Sequence, residues 1–200
     1  MTQAEQSPAI DPEDEARAAL YGLIAQLFYA PPDPGVLAQI LDAGIFEEGD
    51  TGLALRWREL VARCRTAFPV LLENEHTELF VGTGKAAVTP YLIHYLAERS
   101  TDNPLVQLRG QLAAWRIGRR GHVNEPEDHV STVCETMRLI IAVQHRSLEE
   151  QKVFFERFLY KGGIAFCDAV TASKKSDFYR LVAAFAREFF ELEREAFEMN

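Results

Sequence analysis

Apolar residues along this chain recur at offsets of three and four, and no stretch sustains an alternation of two. The first run is Ala16, Ala19, Leu20, Leu23, Ile24, Leu27 and Phe28, entered through Asp11-Pro12-Glu13-Asp14 and stopped by Pro31-Pro32-Asp33-Pro34. A cap residue, a proline in the first turn and acids behind it predict a helix start there. A short helix follows to about Leu41, then a loop over Gly44 to Gly52. Leu53, Trp57, Leu60, Val61 and Cys64 predict a third helix, and Phe68, Leu72, Leu79 and Phe80 a fourth that ends at Gly82.

The segment Gly82 to Thr89 reads as a flexible connection, and Pro90 to Leu96 as either a helical turn or an irregular packed loop. Asn103-Pro104 caps a helix carrying Leu105, Leu108, Leu112 and Trp115. After Gly121-His-Val-Asn-Glu-Pro-Glu-Asp-His-Val130 comes the stripe Val130, Val133, Cys134, Met137, Ile140 and Ile141. Pro126 suits a first helical turn and Glu127 and Asp128 complement the helix N-terminus. Ser147-Leu-Glu-Glu150 has capping-box spacing. Gly162-Gly163 is expected to break the Phe-rich helix behind it, leaving a short helix from Ile164 to Val170. Ser176 is expected to cap the last helix, which buries Phe178, Leu181, Val182, Phe185, Phe189 and Leu192. The prediction is an all-α, single-domain bundle of roughly eight to ten helices, spanning 11–200 behind a disordered lead at 1–10.

Composition bounds the function. A chain that is 48% hydrophobic and 26% charged can bury a core and stay soluble. No run reaches the ~18 apolar residues of a membrane span, and the acidic start carries no secretion signal, so a cytoplasmic location without stable membrane insertion is expected. A net charge of −9 argues against nucleic acid and for neutral or basic partners. Cys64, Cys134 and Cys167 lie far apart on apolar helical faces and read as reduced core thiols.

Enzyme chemistry finds little support. Gly82-Thr-Gly84-Lys85 partly matches a phosphate loop, but Ala86 stands where the hydroxyl belongs and no strand precedes it. Glu73 and His76 have a Glu-x-x-His spacing, yet no second such pair exists for a di-iron site, so solvated helix charges explain them better. Asp128 and His129 are adjacent on a helix and point about 100° apart, which is no dyad. His94, His122 and His145 lack metal-ligand spacing. No catalytic residue, metal or cofactor is expected. Two readings remain for Glu125, Asp128 and His129: a well-capped helix, or a cluster exposed for recognition.

Glu125-Pro126-Glu127-Asp128-His129 resembles the Glu-Pro-x-Asp-His signature of the TorD/DmsD/NarJ family of cytoplasmic molybdoenzyme chaperones. Glu78-Leu79-Phe80-Val81-Gly82 with Pro90-Tyr91 resembles the family's Leu-Phe-x-Gly and Pro-aromatic elements, and Asp177-Phe178-Tyr179-Arg180 its Phe-Tyr-Arg segment. The resemblance runs from about Glu15 to Glu193. One motif departs: where the family has His-Leu-x-Pro-Trp, this chain has Phe158, Leu159, Tyr160, Lys161 and Gly162. The resemblance implies a TorD-like helical fold and a binder rather than an enzyme. It would hold the apoform of a molybdopterin oxidoreductase, through that client's twin-arginine signal peptide, until cofactor insertion. Tat or cofactor-insertion machinery would be further partners, and the chain would be a monomer or a domain-swapped homodimer. The competing classes are a metal- or nucleotide-binding enzyme and a permanent oxidoreductase subunit.

From the same resemblance the client-binding residues would be Leu79, Phe80, Pro90, Tyr91, Glu125, Pro126, Asp128 and His129. The acidic turn would face the Leu79, Phe80, Pro90 and Tyr91 surface across one groove. Acids would take the peptide's arginines and the apolar residues its hydrophobic run.

Overall fold

The structure is a computed structural model and describes residues 10–44, 51–82, 86–96, 103–118 and 126–199. The expected lead at 1–10, apart from Ile10, lies outside the described residues, as do Glu125, His122 and the Thr83–Lys85 part of the expected phosphate-loop match.

The described residues form ten α-helical segments. They are α1 (Pro12–Tyr29), α2 (Pro34–Asp42), α3 (Gly52–Cys64), α4 (Pro69–His76), α5 (Ile93–Leu96), α6 (Pro104–Ala114), α7 (Val130–Ala142), α8 (Leu148–Phe154), α9 (Lys161–Ala172) and α10 (Phe178–Met199). Locally encoded caps sit where the sequence places them. Asp11 accepts from the Glu13 N–H at 2.8 Å and Asn103 from Leu105 at 3.0 Å; Asp33, expected only as part of the stop after the first helix, also caps α2, accepting from Val36 at 2.9 Å. Ser147 and Glu150 close a full capping box on α8. Each satisfies an N–H that the helix itself cannot.

Tertiary contacts override the local pattern at three places. Gly162-Gly163 does not break a helix: α8 passes through a π-helical stretch at Phe155–Tyr160 straight into α9. The glycines serve close approach instead. A Cβ on Gly162 would lie 3.0 Å from the Leu92 carbonyl oxygen, and one on Gly163 would lie 3.0 Å from the Phe190 ring. Nor does Ser176 cap α10; its hydroxyl is buried without a hydrogen bond among the described residues. The carboxylate of Glu75 on α4 takes that role, accepting from the N–H groups of Asp177, Phe178 and Tyr179 at 2.8, 3.1 and 2.9 Å. The third is His76, expected among solvated charges. It is buried, with its ring 5.2 Å from Phe80 and 5.6 Å from Tyr179.

The core has two centres. One is an aromatic cluster in which Phe28 meets Phe166 edge-on at 4.9 Å and Phe80 meets Tyr179 at 5.1 Å. Edge-to-face pairs of this kind add to the burial of large rings. The other is polar. Arg17 on α1 grips both carboxylate oxygens of Glu193 on α10 at 2.8 and 2.9 Å, and Tyr21 donates to the same group at 2.9 Å. This fork ties the first helix to the last. The three cysteines are free and buried, and burial pushes their thiols up. The first apolar stripe is rotated from its expected setting: Ala18, Tyr21, Ile24, Ala25, Leu27 and Phe28 are buried, whereas Ala19 is exposed and Leu23 only half-buried.

Breaking a buried pair by removing one partner strands a charge, whereas exposed pairs contribute little. Glu193→Ala is therefore expected to lower stability by about 3–5 kcal/mol in urea unfolding. Arg194→Ala, which loses surface bonds to Glu191 and Glu198, is expected to cost less than about 1 kcal/mol.

Candidate functional site

The turn Pro126–Asp128 leads into α7, with the His129 N–H donating to the Pro126 carbonyl at 3.1 Å. The helix begins one turn later than the proline signal predicts: His129 itself is the cap, and Val130 is the first helical residue. The His129 Nδ1 accepts from the Ser131 N–H at 3.2 Å and lies 2.6 Å from the Ser131 hydroxyl.

The turn is stapled to the segment around Tyr91. Leu92 donates to the Asp128 carbonyl at 2.8 Å, and Val130 donates to the Pro90 carbonyl at 2.9 Å. Together they make an antiparallel bridge between Tyr91 and His129. The backbone N–H groups of Asp128 itself and of Ile93, the first residue of α5, favour the charged form of the buried Asp128 carboxyl. The turn thus starts α7 and lies against the start of α5. Pro90–Leu96 accordingly combines both expected forms, an extended residue at Tyr91 followed by the helical turn α5.

Burial sets the electrostatics. Asp128 is 8% exposed and His129 5%. Burial raises the Asp128 carboxyl, opposed by its backbone hydrogen bonds. Burial, with His76 nearby, pushes His129 down to about 4. His76 is lowered mainly by burial as well.

The other expected site residues divide. Leu79 and Phe80 belong to the core, in and beside the aromatic cluster, and Pro90 is buried. The Val88 N–H donates to the Leu79 carbonyl at 2.9 Å, which draws the chain back from Gly82 toward Tyr91. Tyr91 is 36% exposed, its ring edge-on to His129 at 5.8 Å. The structure brings these residues together around one staple, but Leu79 and Phe80 form no surface wall facing the acidic turn.

The open space lies on the other side of the turn. A cleft of about 930 Å³ runs between α1, α6 and α7. Its apolar walls are Leu23 and Tyr29 from α1, Leu112 and Ile117 from α6 and the following turn, and Leu139 from α7. Ala19 and Gly22 add small residues, and Ser131, Thr132 and Thr136 add hydroxyls. At the mouth, beside the motif turn, Glu127 faces Arg109; further along, Glu135 is paired with Arg138. The sequence signal for this cleft was a second face on each helix. Ala19, Gly22, Leu23 and Gln26 on α1, and Thr132, Glu135, Thr136 and Leu139 on α7, recur at helical offsets beside the core stripes. Small and hydroxyl side chains on those faces hide it from a hydrophobic pattern. Among the described residues no group of three or more His, Cys, Asp or Glu could hold a metal ion, and no helix is long and apolar enough to cross a membrane.

Phe80→Ala, which opens a cavity among Phe28, Phe166 and Tyr179, is expected to cost about 3–5 kcal/mol of stability. The pH dependence of His129 has a definite sign. Above pH 6.5 the ring is neutral in both states and contributes no slope. As pH falls from 6.5 toward 4, the unfolded chain takes up a proton that the folded one resists. Stability should therefore fall, by ~3 kcal/mol across that window. His76 acts in the same direction, and Asp128 in the opposite one, since protonation relieves its burial. His129→Asn keeps a capping acceptor but does not titrate, so its urea midpoint should fall less steeply between pH 6.5 and 4. A folded-state His129 titration at its ordinary value, followed by NMR, would contradict this.

Comparison with known proteins fits this architecture. The sequence profile of the family described as nitrate reductase delta subunit matches residues 47–162. Chaperone protein TorD from Photobacterium profundum is 26% identical over 112 residues, 50% of this chain and 52% of that protein. The match thus spans about half the length of that curated relative. A crystal structure of a proposed redox enzyme maturation protein from Archaeoglobus fulgidus superposes with a TM-score of 0.58 at 17% identity. That superposition covers 94% of this chain and 99% of the other, and it shows a shared fold. With its Glu-Pro-x-Asp-His turn inside a family match that covers more than half of its length, the chain belongs to the nitrate reductase delta subunit family, the TorD/NarJ group.

Proposed function

We propose that this protein is a maturation chaperone for a molybdopterin oxidoreductase, that it binds the precursor through its twin-arginine signal peptide in the cytoplasm, and that it keeps hold until the cofactor is inserted. The observation that carries the reading is the α1/α6/α7 cleft. It is open, largely apolar, the size of a helical peptide segment, and carboxylate-bearing at the end next to the motif turn. A relative named as a chaperone and a fold neighbour named for redox enzyme maturation support the client class.

The chemistry matches such a peptide. Its apolar run would lie against Leu23, Ile117 and Leu139, as in helix-in-groove recognition. Burying roughly 300 Å² of apolar surface contributes on the order of 7 kcal/mol before the peptide is ordered. Its arginines would approach a protein of net charge −9, and electrostatics would mainly speed encounter and choose the partner. In this reading Pro126, Asp128, His129 and Tyr91 act by holding the α7 end of the cleft in place. Leu79, Phe80 and Pro90 hold the segment on which Tyr91 sits.

The family's description as a delta subunit favours a second reading, permanent residence in the mature enzyme. A chaperone is expected to co-purify with the precursor and not with the cofactor-loaded enzyme; the reverse would support the subunit reading. The cleft is tested by titrating a twin-arginine peptide into wild-type protein and Leu139→Asp. Binding should weaken only in part between about 50 mM and 500 mM salt, because the apolar contribution survives screening. Leu139→Asp should weaken it by about tenfold or more, the cost of a charge in an apolar contact. No binding at low salt, or indifference to Leu139→Asp, would place client recognition elsewhere.

A further inference from the structure

We infer that the cleft is blind at the end away from the motif turn, closed by the Arg138 side chain lying across Gly22, and that this wall limits the apolar run it accepts to about two helical turns. This rests on the reading that the cleft takes a client peptide, and it names the length of apolar segment that the same site selects.

The direction of the cleft is set by its two walls α6 and α7, which run the same way. Arg109 on α6 pairs with Glu127 just before α7. The Trp115 carbonyl at the end of α6 accepts from the Gln144 side chain just after α7 at 3.0 Å. The Arg146 guanidinium also lies over the Trp115 ring at 5.2 Å, so this far end is pinned twice. Past Trp115 the chain doubles back: Arg116 takes a φ of 55°, and the Ile117 N–H donates to the Leu112 carbonyl at 2.9 Å. Ile117 therefore returns to the wall of the cleft instead of lengthening it.

On the α1 side the closure is a side chain. A Cβ on Gly22 would lie 2.9 Å from Cδ of Arg138, so the Arg138 stem rests on the α1 backbone where glycine permits close approach. Glu135 fixes the other end of that stem, accepting from Nε and Nη2 at 2.7 and 2.6 Å, one bond to each oxygen. Among the described residues the α7 lining starts at Ser131 and stops at Leu139, next to Arg138. That stretch of helix rises about 12 Å, roughly two turns of a helix lying alongside.

Charge makes this bar an end wall. The Arg138 and Glu135 side chains are 36% and 42% exposed, so both charges are still hydrated. An apolar run reaching past Leu139 would have to cover them. Taking the pair out of water costs free energy that its own attraction, already made, does not return. The hydroxyls on α7 oppose burial less. Thr136 donates to the Thr132 carbonyl at 2.8 Å, and the Ser131 hydroxyl lies 2.6 Å from the His129 ring nitrogen, so both meet an apolar ligand already bonded. The cleft thus rewards apolar burial over the first two turns and penalises it in the third.

The test uses three synthetic peptides of equal total length and charge. Each has an arginine pair, then an apolar helical run of seven, eleven or fifteen residues, then a polar tail. Each is titrated by fluorescence anisotropy into the full chain and into E135A/R138A, which removes both charges together, with circular dichroism to verify the fold. Wild type is expected to bind the seven-residue run and to gain less than about twofold from the longer ones. E135A/R138A should hold the seven-residue peptide as wild type does. It should bind the eleven-residue peptide on the order of tenfold more tightly than wild type, the return on one further turn of apolar burial. If E135A/R138A does not fold, E135Q/R138Q is read by the same criteria. If wild-type affinity climbs steadily through all three lengths, or the double variant shifts all three alike, the end wall is overturned while the cleft reading stands. If none of the peptides binds wild type, the cleft reading falls and the wall with it.

Discussion

Two main-chain hydrogen bonds, from Leu92 to Asp128 and from Val130 to Pro90, fix the part of the molecule on which the cleft depends. They are short-range in space and long-range in sequence. By themselves two such bonds contribute little. Their weight comes from what is built on them: the His129 side chain starts α7, the Asp128 carbonyl holds Leu92 just before α5, and Glu127 lines the cleft. The buried imidazole of His129, which would cost free energy if unpaired, accepts from the Ser131 N–H, and nearby backbone N–H groups offset part of the burial of the Asp128 carboxyl. The signature residues therefore look less like exposed hooks than like the joint that holds one wall of a groove in register.

The rest of the bundle braces that joint. α7 packs along α1, and α1 is held to α10 by the Arg17, Tyr21 and Glu193 cluster. α10 is in turn started by Glu75 at the end of α4. The Arg17–Tyr21–Glu193 cluster, in the core, and the Glu75 carboxylate, nearer the surface, each link helices far apart in the chain through polar groups. Apolar packing tolerates sliding of one helix on another more readily than directional bonds do. The polar ties give the bundle a single register, and with it a cleft of fixed shape.

Local encoding decided what the sequence could disclose. Asp11, Asn103 and the Ser147–Glu150 box were readable because a cap and its donor lie within three residues. Ser176 misled for the same reason: its position is right for a cap, but the acceptor comes from Glu75, about a hundred residues away. The Gly162-Gly163 pair looked like punctuation because glycine lowers helix propensity, whereas its reason is tertiary. Periodicity located α1 and α7 but could not say which of two faces on α1 would be buried, so Ala19 and Leu23 were assigned to the core. The cleft itself needed α6 in place. No single helix carries it, and its charged residues read as ordinary solvated ones. The motif was legible as a motif; that its middle residue, Glu127, is the one facing the open space was not.

The close seating of Gly162 on Leu92 bears on the chain's departure from its family. Gly162 stands where the related motif ends in tryptophan, and the Leu92 carbonyl presses to within 3.0 Å of the place a first side-chain carbon would occupy. With no side chain at this position, the segment that carries Tyr91 packs directly on the rod. The two regions are thus not separable modules in this protein: one is the seat of the other. Lys161, where the motif has proline, keeps its backbone N–H in the middle of a continuous rod. A tryptophan placed at Gly162 would meet the Leu92 carbonyl and press the Leu92 segment, and with it the bond to Asp128 beside the start of α7, off the rod.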